Sequence, residues 1–250
     1  MKFAFFDLEV GCSEELCNLL VSQKIAMANA ADPHLIPRLD IWEHWPFSIS
    51  VAATKLSDVS GTIAWYDLDK TGAPVPRWGT DFTWRFVNIL QRYQEDGYTL
   101  CGWNSTGFDF RLLGALTYRV WAIDAALDSI DPNFQSLCMR GYPVALNGAA
   151  HFHGLGKTEE SGANVPLLWL LGEYDRCITY VVNDVDMLAS VVSDIQVSRG
   201  LRWIANSGIA NYLYMPTLLN VRHCLKLPLP DTSWMDNAIT REETIQWMAS

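Results

Sequence analysis

Three short acidic blocks, far apart in the chain, constrain the fold of this sequence more than any other feature. They are residues 6–9 (FDLE), 104–109 (NSTGFD) and 180–184 (YVVND), and together they contain four carboxylates and one phenol. Carboxylates that converge on one point repel one another strongly unless cations lie between them. A fold that gathers the three blocks is therefore expected to hold divalent metal ions.

The first block follows an apolar run that predicts a buried strand over residues 2–8, with Asp7 near its carboxyl end. Asp7 and Glu9 are two residues apart, and side chains at i and i+2 of a strand project from the same face. Both carboxylates can therefore reach one metal ion. Asp-x-Glu alone also fits a solvated strand end, but the apolar residues before it argue against an exposed strand.

The second block lies between an apolar segment, residues 98–103, that predicts a strand, and a helix predicted over residues 109–119. Asp109 thus stands at a helix N-terminus, where a carboxylate can either bind metal or cap the helix. The block itself leaves both alternatives open. Phe108 can equally line the floor of a site or belong to the core.

The third block lies in a long amphipathic helix predicted over residues 173–192. Tyr180 and Asp184 are four residues apart and therefore share a helix face, whereas Asp186 points away from it. Asp184 is for that reason the better candidate ligand. The alternative is an ordinary acidic helix face, with Tyr180 packed against the core.

This set of carboxylates suits Mg²⁺ or Mn²⁺, because Mg²⁺ prefers oxygen ligands and completes its coordination with water and substrate phosphate. Two such ions, roughly 3.5–4 Å apart, activate an attacking water and stabilise the leaving oxygen in phosphodiester hydrolysis. Tyr180 is expected to orient water or phosphate by a hydrogen bond, because a phenol with a pKa of about 10 is a poor base at neutral pH.

The composition is that of a globular protein, with 50% hydrophobic and 18% charged residues among 250. The net charge of −10 argues against tight binding of long duplexes, because nucleic-acid binding normally relies on positive charge. Two divalent cations would offset the four site carboxylates, so short or single-stranded substrates fit better. No apolar run reaches the length of a membrane span or a signal peptide, and we expect a cytoplasmic protein with reduced thiols.

The rest of the chain predicts a domain of mixed α/β class. Alternating residues predict two adjacent strands over 49–54 and 61–66. Strands followed by alternating helices and strands indicate a central mixed sheet flanked by helices. We expect this domain to span residues 1–200, with a helix-and-loop insertion at about 11–45, and a C-terminal helical extension, residues 201–250, to pack on it.

All three blocks, in this order, resemble the motifs of the ribonuclease H-like 3′→5′ exonucleases of the DEDD class. The spacing of Tyr180 and Asp184 is that of the tyrosine subtype, since the histidine subtype has His where this chain has Thr179. The segment that ends at Asp109, GWNSTGFD, looks most like the exonuclease domain of family B DNA polymerases. The remaining chain has no room for a polymerase domain, so we expect a stand-alone exonuclease.

The resemblance implies a ribonuclease H-like fold with Asp7, Glu9, Asp109, Tyr180 and Asp184 as the catalytic residues. The four carboxylates among them would be the ligands of two Mg²⁺ or Mn²⁺ ions.

The resemblance also implies substrate contacts beside those residues. Leu8 lies between the first two carboxylates, and Asn104 and Phe108 match supporting positions of the second motif. Lys157 follows a glycine in a segment, residues 155–159, that looks like stand-alone relatives of that exonuclease domain. There it would contact phosphate, and a solvated loop lysine is the alternative.

These inferences predict a metal-dependent exonuclease that removes nucleotides from the 3′ end of single-stranded DNA or RNA. Two alternatives keep the fold: a catalytically weak nucleic-acid-binding or regulatory module, and an endonuclease of the wider ribonuclease H-like group. The expected partner is a short or 3′-ended single strand, not a membrane. Contacts to a 2′-hydroxyl would decide between DNA and RNA, and the sequence does not locate them.

Overall fold

A mixed four-stranded sheet lies at the centre of this computed structural model, which describes residues 1–11, 14–29, 47–155, 162–205 and 207–249. Its strands are β1 (Phe3–Gly11), β2 (Ser48–Leu56), β3 (Ile63–Trp65) and β4 (Thr99–Cys101). The strand order is β3-β2-β1-β4. β1 is antiparallel to β2 and parallel to β4, and β2 is antiparallel to β3.

Helices surround this sheet, and a separate two-stranded hairpin follows the longest of them. The described helices are α1 (Glu14–Asn29), α2 (Thr80–Glu95), α3 (Asp109–Leu116), α4 (Arg119–Asp128), α5 (Pro132–Arg140), α6 (Leu146–Phe152), α7 (Val165–Leu170), α8 (Tyr174–Ser198), α9 (Val221–Cys224) and α10 (Arg241–Ile245). The hairpin pairs β5 (Gly200–Ile204) with β6 (Ala210–Tyr214). Within the described residues, no helix combines the length and apolar character that crossing a membrane requires.

β1 is buried on both faces because apolar residues occupy both sets of alternating positions. Phe3 and Phe5 pack in the core layer that contains α8, whereas Phe6 packs in the opposite layer with α2 and α3. Side chains alternate along a strand, so Asp7 and Glu9 continue the face of Phe3 and Phe5. The fold therefore turns the first two carboxylates towards α8.

β1 extends beyond the end of its parallel neighbour. β4 ends at Cys101, which pairs with Phe5, and the chain then turns sharply at Gly102. A Cβ at Gly102 would lie 2.4 Å from the Cβ of Ser105, so the turn has no room for a larger residue. The second acidic block follows this turn and approaches the edge of β1 that β4 leaves uncovered.

This arrangement confirms the predicted class, an α/β protein with a central mixed sheet flanked by helices. The two strands predicted over 49–54 and 61–66 correspond to β2 and β3 and pair as neighbours. The division into residues 1–200 and 201–250 stays a prediction.

Several elements differ from those predicted. The segment after α8 begins with a hairpin rather than a helix, because Leu201 and Trp203 alternate with Arg202, as in a strand with one buried face. Asp7 lies in the middle of β1, which runs on to Gly11, rather than near its end. Of the predicted insertion, α1 is described, whereas residues 30–46 lie outside the described part of the chain.

Candidate metal centre

Three carboxylates from β1 and α8 form one group on the α8 side of the sheet. Asp7 and Glu9 project from the same face of β1, and Asp184 faces them from the middle of α8. Each residue offers one carboxylate oxygen, and these oxygens all lie within 4.8 Å of one another. Glu9 is 9% exposed and Asp184 7%. Donors that are all oxygen and this close together suit hard cations, so the acidic group could hold a metal ion.

Asp186, two residues further along α8, points elsewhere. Its carboxylate accepts hydrogen bonds from Lys55 Nζ at 2.8 Å and from Thr62 Oγ1 at 2.6 Å. These partners lie in β2 and just before β3. Of the two neighbouring acidic residues, Asp184 is therefore the one that faces the carboxylates of β1.

Tyr180 lies one helical turn before Asp184 and is only 3% exposed. Burial raises the pKa of its phenol well above the usual range, and the negative charges of Asp184 and Glu9 raise it further. The phenol donates a hydrogen bond to Asp184. At neutral pH Tyr180 is therefore a neutral hydrogen-bond donor that faces the acidic group.

Asp109 is held by a different contact. It is 2% exposed, and its Oδ1 accepts the N–H of Leu8 at 3.1 Å, on the edge of β1 that β4 leaves uncovered. Among the described residues, the group of close carboxylate oxygens does not include Asp109. Its carboxyl instead holds the backbone between Asp7 and Glu9, and its role as a metal ligand stays a prediction.

The environment of Asp109 makes the metal-free fold sensitive to pH. Burial raises the pKa of its carboxyl from 3.8 to about 7, with a smaller contribution from the charge of Asp131. The protonated carboxyl of Asp109 therefore favours the folded state. Its contribution to stability is complete below about pH 4 and is lost as the pH rises to about 7. Between pH 5 and 8 this group should lower the free energy of unfolding by about 2–3 kcal/mol. Asp109→Asn, which keeps the Oδ1 acceptor, should remove that part of the loss.

Urea unfolding in EDTA at pH 5 and pH 8 measures this effect in the wild-type protein and in the Asp109→Asn variant. Equal losses of stability in the two proteins would contradict the prediction.

Asp131, which the motifs did not select, holds the second acidic block in place. It is 1% exposed. Its carboxylate accepts the N–H groups of Asn104 and Thr106, each at 3.0 Å, and that of Phe134 at 3.1 Å. The contact with Phe134 caps α5, whose first residue is Pro132. Asp followed by Pro is a sequence signature of a helix start, so the cap was readable from the sequence, whereas the contacts with the loop were not.

Two further residues reach the site from distant parts of the chain. Trp247 Nε1 donates to the carbonyl oxygen of Thr106 at 2.9 Å, so the C-terminal segment supports the second acidic block. On the other side, a Cβ at Gly162 would lie 3.3 Å from the Tyr180 hydroxyl and 3.7 Å from both carboxylate oxygens of Glu9. The 3₁₀ turn that starts at Gly162 is therefore a wall of the site, and its first residue leaves room there.

The residues predicted to contact substrate lie in different surroundings. The Leu8 side chain is 3% exposed and packs in the core layer opposite α8, so only its main chain borders the site. Asn104 is exposed, with a left-handed φ of 62°, and Phe108 is half-buried immediately before α3. Lys157 lies outside the described residues. The roles of these four residues towards substrate stay predictions.

Comparisons with known proteins identify no family for the chain. No protein-family model and no curated protein matches it. Among solved structures it is similar to the family B DNA polymerase from the hyperthermophilic archaeon Pyrobaculum calidifontis, with 14% sequence identity and a TM-score of 0.48. The match covers 99% of this chain and 28% of that polymerase chain, so this chain spans less than a third of the polymerase.

Proposed function

We propose that this chain is a metal-dependent 3′→5′ exonuclease that hydrolyses phosphodiester bonds of single-stranded DNA or RNA. The observation that carries the proposal is the group formed by Asp7, Glu9 and Asp184, whose carboxylate oxygens lie within 4.8 Å of one another. Carboxylates at this distance in a largely buried site repel one another unless a cation neutralises them. Metal binding is therefore the best explanation for a fold that keeps them together.

In this proposal Asp7, Glu9, Asp109 and Asp184 hold two Mg²⁺ or Mn²⁺ ions. When bound, such ions supply an activated water and stabilise the oxygen that leaves. All four donors are carboxylates, which are ligands that these cations accept. The hydrogen bond from the Leu8 N–H to Asp109 supports this set, because it ties the fourth carboxylate to the strand that carries the first two.

Tyr180 is proposed to position the reacting groups rather than to remove a proton. Its raised pKa supports this role, because the phenol remains protonated and can turn its single O–H from Asp184 to water or to a phosphate oxygen. Glycine at position 162 also puts no side chain against the Tyr180 hydroxyl, where a Cβ would lie at 3.3 Å.

The charge of the chain supports a short or single-stranded substrate. The net charge is −10, and two divalent cations would reduce it to −6. A surface with that balance attracts long duplexes poorly, because their binding depends on many contacts between phosphates and basic side chains. A 3′ end bound through metal at one site needs fewer of these contacts.

Cleavage of 5′-labelled single strands tests the proposal. DNA and RNA oligonucleotides are incubated with the protein and Mg²⁺ or Mn²⁺, with EDTA as the control. We expect labelled products that shorten progressively from the 3′ end, no cleavage in EDTA, and no cleavage of a circular single strand. Comparison of the DNA and RNA substrates gives the sugar preference.

Two outcomes would contradict the proposal. Nicking of the circular strand would identify an endonuclease. Stoichiometric binding of the oligonucleotide without turnover in either metal would identify a binding or regulatory module.

A further inference from the structure

One arginine and three aromatic side chains form a cluster outside the metal centre. Arg140, the last residue of α5, stacks over the ring of Tyr142, with its Cζ 5.2 Å from the ring centroid, and over Trp203 at 5.6 Å. The Tyr142 ring also contacts Trp203 and Trp234 in edge geometry, at centroid distances of 6.4 and 6.1 Å. These four residues, from α5, β5 and the loops after α5 and α9, form an aromatic platform.

Trp234 is the exposed part of this platform, and it is nevertheless held in place. Its side chain is 66% exposed. Its Nε1 donates to the carbonyl oxygen of Asp231 at 3.2 Å, and its ring lies at 84° to that of Tyr142. A rigid exposed ring loses little conformational entropy on binding, and tryptophan and tyrosine are enriched among residues that dominate interfaces. Trp234 therefore has the properties of a binding anchor.

Arg140 adds a positive charge that indicates the kind of partner. In the part of the chain that the structure describes, Arg140 contacts aromatic rings and forms no ion pair with a carboxylate. The chain as a whole has 28 acidic and only 18 basic residues. A guanidinium among aromatic rings offers stacking to bases and hydrogen bonds to phosphate, which is the combination found in sites for single strands.

Hydrogen bonds connect the platform to the second acidic block. Trp103, immediately before Asn104, donates from Nε1 to the carbonyl oxygen of Val144 at 2.8 Å. Val144 is two residues from Tyr142, and its N–H donates to Asn133 Oδ1 at 2.8 Å. These bonds fix the chain beside Tyr142 against the loop that leads to the metal centre.

We propose that the aromatic platform binds bases of a single-stranded nucleic acid upstream of its 3′ end. This inference rests on the proposed exonuclease function and deepens it by assigning the site that holds the substrate strand. Stacking on Tyr142 and Trp234 and the charge of Arg140 supply affinity that an acidic surface otherwise lacks. Every base has a ring face, so the platform accepts strands of varied sequence.

Binding in the absence of metal tests the platform directly. Fluorescence anisotropy in EDTA, with labelled single-stranded DNA and RNA of twelve nucleotides, gives dissociation constants without cleavage. Trp234→Ala and Tyr142→Leu should each weaken binding by about five- to 150-fold, the range for loss of base stacking on an aromatic ring. Arg140→Gln should weaken binding and reduce its dependence on salt. The DNA and RNA arms show which strand the platform prefers.

Trp84→Ala is the matched control. Trp84, in α2, is also a partly exposed tryptophan, and its ring contacts that of Tyr118 in the connection between α3 and α4, away from the platform residues. It should leave binding unchanged. In the cleavage assay, the platform variants should raise KM for the twelve-nucleotide strand without changing kcat. They should not affect a dinucleotide, which has no further upstream bases to place on the platform.

The two proposals fail in different ways. If the wild-type protein shortens strands from the 3′ end and the folded platform variants bind as tightly as wild type, the platform is overturned and the exonuclease stands. If the platform variants lose binding but the wild-type protein cleaves nothing, the platform stands and the exonuclease is overturned. If wild type binds neither strand in EDTA, the platform is overturned, and the cleavage assay with metal alone decides the exonuclease. Far-ultraviolet circular dichroism checks that each variant is folded. Trp234→Ala is the decisive variant, because its side chain is largely exposed and its replacement should disturb the fold least.

Discussion

Asp7→Asn and Asp184→Asn are each expected to lower metal-dependent cleavage by more than about a hundredfold while the fold is kept. Each change removes one of three carboxylates whose oxygens lie within 4.8 Å of one another. Replacing a residue that only hydrogen-bonds to a metal ligand typically lowers metal affinity or activity about 10- to 100-fold. Replacing a ligand itself should therefore lower activity further. Initial rates on a 5′-labelled single strand at saturating Mg²⁺ measure the effect.

The stability of the same variants separates loss of a ligand from loss of structure. Without metal, removal of one of the repelling charges should leave the free energy of unfolding unchanged or raise it. With Mg²⁺, the wild-type protein should gain more stability than either variant, because only bound metal stabilises the folded state. Asp186→Asn is the matched control, since its carboxylate binds Lys55 and Thr62, and its cleavage rate should stay within about twofold of wild type. Wild-type cleavage by Asp184→Asn would contradict the assignment.

The features that the sequence predicts correctly are those set by local periodicity. The apolar residues of β1 and the helical spacing in α8 determine which side chains share a face, and both elements exist where the patterns place them. These two patterns alone predict that Asp7 and Glu9 share one face of the strand. They also predict that Asp184 and Asp186 point in different directions from the helix. Pairing of β2 with β3 follows in the same way from two alternating segments joined by a turn.

The features that local patterns do not predict are contacts between distant parts of the chain. Trp247 reaches Thr106 across 141 positions, and nothing in the residues around Trp247 marks that contact. Gly162 borders the site only because the fold brings its turn against Tyr180 and Glu9. The sequence does not predict the hairpin after α8 for a different reason, since its alternation covers only five residues in each strand.

Buried carboxylates in this protein are stabilised in two different ways. Asp7, Glu9 and Asp184 form a group of like charges, which a cation can neutralise. Asp131 is buried more completely, and burial raises the pKa of its carboxyl, while hydrogen bonds from backbone N–H groups oppose that rise. Backbone N–H donors therefore stabilise the negative charge of Asp131, as a metal ion would stabilise the charges of the acidic group. We therefore expect Asp131 to have a structural role. The stability that is lost when it is replaced should not depend on metal.

Asp131→Ala is expected to lower the free energy of unfolding by about 3–5 kcal/mol, whether or not Mg²⁺ is present. The change leaves the N–H groups of Asn104, Thr106 and Phe134 without their acceptor and removes the cap of α5. An orphaned buried donor costs about 1–3 kcal/mol, and a lost helix cap about 1 kcal/mol. Urea unfolding with and without Mg²⁺ measures the loss.

Asp131→Asn is the variant that tests this explanation. The Asn104 and Phe134 N–H groups both donate to Oδ1, whereas the Thr106 N–H donates to Oδ2, which becomes an NH₂ group in the variant. The asparagine can keep two of the three contacts, so its loss of stability should be smaller than that of alanine. Cleavage by folded Asp131→Ala should also fall, because the released loop leads directly to Asp109. Equal stability of the alanine variant and wild type would contradict the explanation. It would show that the three N–H groups do not need the Asp131 carboxylate and that other groups hold the loop.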